Sequence, residues 1–239
     1  MIPLLGVPVL NREDLAARMV RSVDVPVDEL LVVVNAPVKQ PVVDALQQAV
    51  EANPNVGRVS FSLPSFNLGC GGSWNHIIRH RPDGPWWLIV NADIVFGQGD
   101  LERLALSMAD ESAALRTVFE FGAFALNRAC VDAVGWFDEN FHPMYYEDRD
   151  YEYRMRLAGV PYVKVESGTM HDTSSTINSD HGLWERNRVT FQRNREYYAA
   201  KWGSSPYGEQ FKVPFNGARE PVLSRERLAS QSWQRKRVT

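Results

Sequence analysis

Two runs of five consecutive apolar residues, LLVVV over 30–34 and WWLIV over 86–90, set the first limit on the fold. A strand with one face in water alternates apolar and polar residues. These runs do not alternate, so both faces must be covered, as in a parallel sheet lying between two layers of helices. The segments around them supply such layers.

Strands are expected over residues 2–10, 30–34, 58–63 and 86–90, and helices over 12–23, 40–51, 69–81 and 101–108. Leu15, Met19 and Val23 fall at helical spacing in the first helix, and Val43, Ala45, Leu46 and Val50 provide one face of the second. Asn11 and Asp100 stand where a side chain can cap the first and fourth helices. Strand–helix alternation of this kind implies an α/β class with a Rossmann-like, mostly parallel central sheet flanked by helices. After residue 111 the pattern changes. Residues 117–126 read as one strand, 127–134 as a short helix and 135–146 as an aromatic loop. Residues 147–158 read as a helix stopped by Gly159. A strand over 162–166, a polar loop and a long helix over 183–202 complete the expected domain, 1–202, which divides at residue 110. Residues 203–239, rich in Gly, Pro, Ser and Arg, are expected to form a helical or irregular extension.

Charge is nearly balanced, with 26 Lys and Arg against 29 Asp and Glu, so no global field draws the chain to nucleic acid or to an acidic membrane. Two cysteines, Cys70 and Cys130, make neither a disulfide framework nor a metal cluster, which fits a reducing cytoplasm. The stretch MIPLLGVPVL lacks the basic flank and cleavage site of a signal peptide. No apolar run approaches the ~20 residues of a transmembrane helix. A soluble, cytoplasmic protein is expected.

Ligands of an open parallel sheet bind beyond the carboxyl ends of its strands. Asn11, Asn35 and the triplet Asn91-Ala92-Asp93 fall at such ends. Asn and Asp are also ordinary turn residues, so the triplet taken alone is either a strand-closing turn or a metal ligand. Asn67-Leu68-Gly69-Cys70-Gly71-Gly72 is a glycine-rich turn opening a helix, a simple tight turn or a cradle for phosphate. It is neither a dinucleotide fingerprint nor a Walker loop. Glu147, Asp148 and Asp150 open a helix, where acids meet the positive end of its dipole. Beside Tyr145 and Tyr146 a partly buried carboxylate also suits a general base. His171 is either a structural histidine or a nitrogen ligand that complements Asp93 on a divalent cation.

In this order the motifs resemble family 2 of the inverting nucleotide-sugar glycosyltransferases, which have the GT-A fold. Pro8-Val9-Leu10-Asn11-Arg12 is similar to that family's first strand and turn, and Val32-Val33-Val34-Asn35 to its second. The segment from Asn67 and Gly69 to Asn75 is similar to its N-x-G element, and Asn91-Ala92-Asp93 to its D-x-D or N-x-D metal motif. Gly135-Trp136-Phe137-Asp138-Glu139-Asn140-Phe141, then Glu147-Asp148-Arg149-Asp150 with Arg154, carry the most specific part of the likeness, which covers about residues 1–200. The resemblance implies that Asp93 and His171 bind Mn²⁺ or Mg²⁺ on the donor diphosphate. It implies that Pro8, Leu10, Asn35, Asn67, Gly69, Asn75 and Asn91 line the donor nucleotide site, within residues 1–110. Asp148 would deprotonate the acceptor hydroxyl for inversion, with Glu147 orienting the acceptor or neighbouring arginines. Trp136, Tyr145, Tyr146 and Arg154 would face the acceptor in residues 111–202. The expected donor is a nucleoside-diphosphate sugar, foremost a UDP-sugar.

Three departures stand out. Val34 occupies the place of an aspartate that commonly reads the base, Leu10 that of a tyrosine able to stack on it, and Asn91 that of the first metal carboxylate. A non-catalytic sugar-nucleotide binder of the same fold remains an alternative, as does an acceptor that is a modified nucleobase in DNA. A nucleotidyltransferase is disfavoured because VPVLNRED contains no glycine-rich basic loop. In the tail, Arg219, Arg225, Arg227, Arg235, Lys236 and Arg237 surround Trp233. This basic stretch is either a solvated C-terminus or a contact for nucleic acid or an anionic surface.

Overall fold

The structure, a computed structural model, describes residues 1–110, 112–172 and 181–218, with the backbone alone for 181–186. The basic tail from Arg219 onward lies outside the described residues. Along the chain run β1 (Ile2–Val9), α1 (Glu13–Arg21), β2 (Val27–Val34), α2 (Gln40–Glu51), β3 (Val56–Ser62), α3 (Gly69–His80) and β4 (Trp86–Val90). Then come β5 (Ile94–Val95), α4 (Asp100–Ser107), β6 (Leu115–Phe119), β7 (Ala123–Asn127), α5 (Arg128–Val134) and α6 (Glu147–Ala158). The last elements are β8 (Tyr162–Lys164), β9 (Met170–His171), α7 (His181–Trp202) and a short 3₁₀ turn over Pro214–Gly217. No helix among the described residues is long and apolar enough to cross a membrane.

Seven strands form one sheet in the order β3-β2-β1-β4-β7-β6-β8. The first four are mutually parallel, β7 runs antiparallel to both β4 and β6, and β8 returns parallel to β6. The mostly parallel α/β sheet read from the apolar runs is therefore present. LLVVV divides its side chains between two cores, as a strand covered on both faces must. Leu30, Val32 and Val34 pack with α1, α2 and α4, while Leu31 and Val33 pack with α3, α5 and α6. Gly6 lets α3 lie close against β1: a Cβ there would come within 2.3 Å of Ile77. On α2 the buried face is Val42, Leu46 and Ala49, with Val43, Ala45 and Val50 at its margins.

Several local expectations are corrected. Residues 117–126 are not one strand but a hairpin, turned by Glu120 in the left-handed region and by Gly122, whose amide donates to the Phe119 carbonyl. Asn11 does not cap α1; Arg12, at φ 56°, starts it, with its carbonyl accepting the amides of Leu15 and Ala16. Asp100 is the first residue of α4 rather than its cap. Its fully buried carboxylate accepts from the Gly97 and Gly168 amides and the Thr169 hydroxyl, so it ties the start of α4 to the segment leading into β9. β8 ends at Lys164, before the expected strand end.

Candidate functional site

The carboxyl ends of β1, β2 and β4 open into a cleft of 560 Å³. Pro8 and Leu10 line it from β1 and its turn, Asn35 from the end of β2, and Asn67 and Gly69 from the start of α3. Asn91 and Asp93 follow β4, and Tyr145, Tyr146, Glu147 and Asp148 come from the other side. His171 joins them although it is far away in sequence. Its position is built by pairing: β9 runs antiparallel to β5, with His171 opposite Ile94, and the Asp172 amide donates to the Asp93 carbonyl. Phe119 stacks on the imidazole at 5.2 Å, 11° from parallel.

His171 Nε2 then lies 3.1 Å from Asp93 Oδ1. The hydrogen bond to Asp93 is the main reason the imidazole pKa is raised above its ordinary value, and burial opposes it. A carboxylate oxygen and an imidazole nitrogen at this spacing fit one hard divalent ion that takes its remaining ligands from a diphosphate and water. Among the described residues no group of three or more His, Cys, Asp or Glu is placed to hold a metal, so the protein's share would be this pair.

Glu147 and Asp148 occupy the first turn of α6. They follow Tyr145 and Tyr146, both in the left-handed region, at φ 77° and 74°. α7 holds that unfavourable backbone in place: Asn194 donates to the Met144 and Tyr145 carbonyls, and Arg193 to the His142 carbonyl. Glu147 is 5% exposed. Burial first, and then the neighbouring Asp148 charge, drive its pKa well above the usual glutamate range. The Asp148 side chain is 33% exposed and accepts from the Arg149 amide at 2.8 Å. Loss of surrounding water raises its pKa as well, against the pull of Arg149.

Asp150 points the other way. Its carboxylate takes Lys201 Nζ at 2.8 Å, Trp202 Nε1 at 2.9 Å and Arg154 Nε at 2.9 Å. Lys201 also reaches Asp138 at 2.7 Å. This buried network fixes α6 against α7, so Asp138, Asp150 and Arg154 serve to place Glu147 and Asp148.

Three expected site residues lie outside the cleft. Asn75 is buried and spends its amide on the Phe137 backbone and Glu139. Trp136, 44% exposed, lies under the Arg79 guanidinium. Arg154 is held by Asp150 and the Val134 carbonyl. In the glycine-rich turn the leading amides are engaged within the protein. Leu68 N donates to Asn35 Oδ1, Gly69 N to Asn67 Oδ1 and Cys70 N to the Pro143 carbonyl. Gly69 is required for a different reason. At φ 72° its missing Cβ would sit 2.7 Å from the Pro143 oxygen, so the glycine lets the Tyr145-Tyr146 loop dock on α3. Asn35 and Asn67 line the cleft with side chains already committed within the protein.

Other lining residues escaped the sequence reading. Cys70 and Trp74, one helical turn apart, sit on the cleft side of α3; their i,i+4 spacing was the signal. Phe119 and Phe121 enter from the β6–β7 turn, which the F-E-F-G sequence marks. Phe191 reaches in from α7.

Known proteins are similar to this chain in sequence and in fold. Over 99 residues the chain is 35% identical to a galactofuranosyl glycosyltransferase from Leishmania donovani, a match covering 40% of this chain and 22% of that protein. Among solved structures it is similar to the mannosyltransferase PcManGT from Pyrobaculum calidifontis, in complex with GDP-Man and Mn²⁺, with a TM-score of 0.62 at 15% identity over 86% of this chain and 66% of that one. It is also similar to S. aureus TarS, with a TM-score of 0.55 at 15% identity over 70% of this chain and 35% of that one. The chain thus spans less than two thirds of the length of these relatives, and the structural likeness shows a common GT-A fold. Residues 5–171, well over half of the chain, match the sequence pattern of one family, and the chain belongs to glycosyl transferase family 2.

Proposed function

We propose that the protein transfers a sugar from a nucleoside-diphosphate donor to an acceptor hydroxyl, with inversion at the anomeric carbon. The observation that carries this reading is the shared cleft: Asp148 and the Asp93–His171 pair line the same 560 Å³ space. A single displacement needs a base on the acceptor side and charge stabilisation on the leaving side. Asp148 suits the first task. It is open to the cleft, and its raised pKa brings its basicity closer to neutral pH. It would take the acceptor proton as the acceptor oxygen bonds to the anomeric carbon and the bond to the diphosphate breaks.

Asp93 and His171 suit the second task. Mn²⁺ or Mg²⁺ bound there would supply Lewis-acid neutralisation of the departing diphosphate. The base and ribose would lie at the ends of β1 and β2, against Pro8, Leu10 and Asn35. Because Asn35 is engaged with Ser73 and the Leu68 amide, recognition of one particular base by that side chain is weakened, and both UDP- and GDP-sugars belong in a donor screen. The acceptor would approach through a smaller cavity of 180 Å³ that shares Asp148 and Arg149 with the main cleft and is walled by Glu152, Tyr162 and Tyr207.

The test is nucleoside diphosphate release from a panel of UDP- and GDP-sugars, with and without Mn²⁺. Metal-dependent release that is lost in Asp148→Asn supports the enzyme. Tight donor binding with no release from any donor, with or without saccharide acceptors, would instead identify a sugar-nucleotide binding protein.

A further inference from the structure

Two buried polar atoms lining the cleft have no hydrogen-bond partner: Trp74 Nε1 and Glu147 Oε2. Trp74 is 3% exposed. Its ring is fixed by Phe121 (centroids at 6.1 Å), Phe124 (5.1 Å) and Phe137 (4.9 Å), so it cannot swing its N–H out to water. Leaving such a donor and such an acceptor unsatisfied is unfavourable, and the hydroxyl groups of a ligand suit both, since a hydroxyl accepts and donates. Cys70 marks where that ligand lies. One turn before Trp74 on α3, its thiol contacts the Glu147 carboxyl and also feels the charges of Asp148 and Asp93. It therefore lines the cleft together with the base carboxylate and the metal pair, the groups that flank a donor's sugar ring at displacement.

We propose that Cys70, Trp74 and Glu147 form the subsite for the donor's sugar ring, with Trp74 Nε1 donating to, and Glu147 accepting from, a ring hydroxyl. This rests on the proposed sugar-nucleotide reading of the cleft and gives it a specificity element: a neutral, hydroxylated sugar is taken, and a sugar with that hydroxyl removed or acylated is refused.

Trp74→Phe deletes the N–H and keeps one aromatic ring in the packing against Phe121, Phe124 and Phe137. Calorimetric titration of UDP, GDP and their hexose conjugates is expected to show an unchanged Kd for the free nucleoside diphosphate. The Kd for the bound sugar nucleotide should rise about tenfold, as for the loss of one hydrogen bond. Glu147→Leu, an apolar replacement in a buried position, should give the same split and serves if Trp74→Phe fails to fold. Equal changes in both Kd values, or no change in either, would overturn the subsite while leaving the nucleotide cleft intact. Failure of the wild type to bind any nucleotide would overturn the reading of the cleft and the subsite with it.

Discussion

Lys201 of α7 meets Asp150 of α6 at 2.8 Å where both are almost fully enclosed, with the lysine 4% exposed. A buried cation held by two carboxylates, Asp150 and Asp138, is costly to break from one side, because the remaining charges lose their compensation. Lys201→Met is expected to destabilise the protein by about 3–5 kcal/mol in urea unfolding. It should weaken donor turnover by misplacing α6 without altering any group that lines the cleft.

Gly69 makes a prediction of a different kind. Gly69→Ala puts a Cβ 2.7 Å from the Pro143 carbonyl at a residue with φ 72°. Thermal and urea unfolding should show a loss of roughly 1–3 kcal/mol. Nucleotide affinity should also fall, since the Tyr145-Tyr146 loop can no longer dock on α3.

Glu147 predicts a pH dependence. Its folded pKa is raised, by burial and then by Asp148, so the native state holds a proton that the unfolded chain releases. Stability contributed at this site is therefore full below the ordinary glutamate value of 4.5 and falls as pH rises through the elevated one. Glu147→Gln should match the wild type at pH 4 and exceed it by about 1–3 kcal/mol at pH 8, measured by urea unfolding. Wild-type stability that rises with pH relative to the variant would contradict this.

The Asp93–His171 pair predicts competition between protons and metal. His171 has a raised pKa in the metal-free protein, so the pair's contribution to folding is full below the ordinary histidine value of 6.5 and is lost as pH rises through the raised value. Metal ligation needs the neutral imidazole and runs the other way. Stabilisation by Mn²⁺ with a sugar nucleotide should be strong at pH 8, weak at pH 5.5 and absent in His171→Phe, as read by thermal shift.

What was legible in the sequence follows from the range of the forces involved. LLVVV and WWLIV announced a two-sided sheet because burial is a property of each residue. The α6 boundaries, with Gly159 in the left-handed region at the stop, followed from local backbone chemistry. The hairpin within 117–126 was read as one strand because apolar residues fill both of its arms and only Glu120 and Gly122 interrupt them. The carboxylates of Asp148 and Asp150 look alike in sequence; they separate only when α7 brings Lys201 and Trp202 to one of them. Asn75 was likewise a polar residue with more than one use, claimed by the distant Phe137 backbone, while Arg154 is held by Asp150 one helical turn away. The approach of His171 to Asp93 depended on a two-residue strand that no periodicity signals.

The most direct test of the central proposal is the initial rate of nucleoside diphosphate release by Asp148→Asn, set beside its affinity for the same donor. Asparagine keeps the shape of the side chain and removes its basicity. The proposal predicts a loss of at least about a hundredfold in rate, with donor affinity within about twofold of wild type. A rate within about tenfold of wild type at full donor affinity would contradict the assignment of Asp148 as the base.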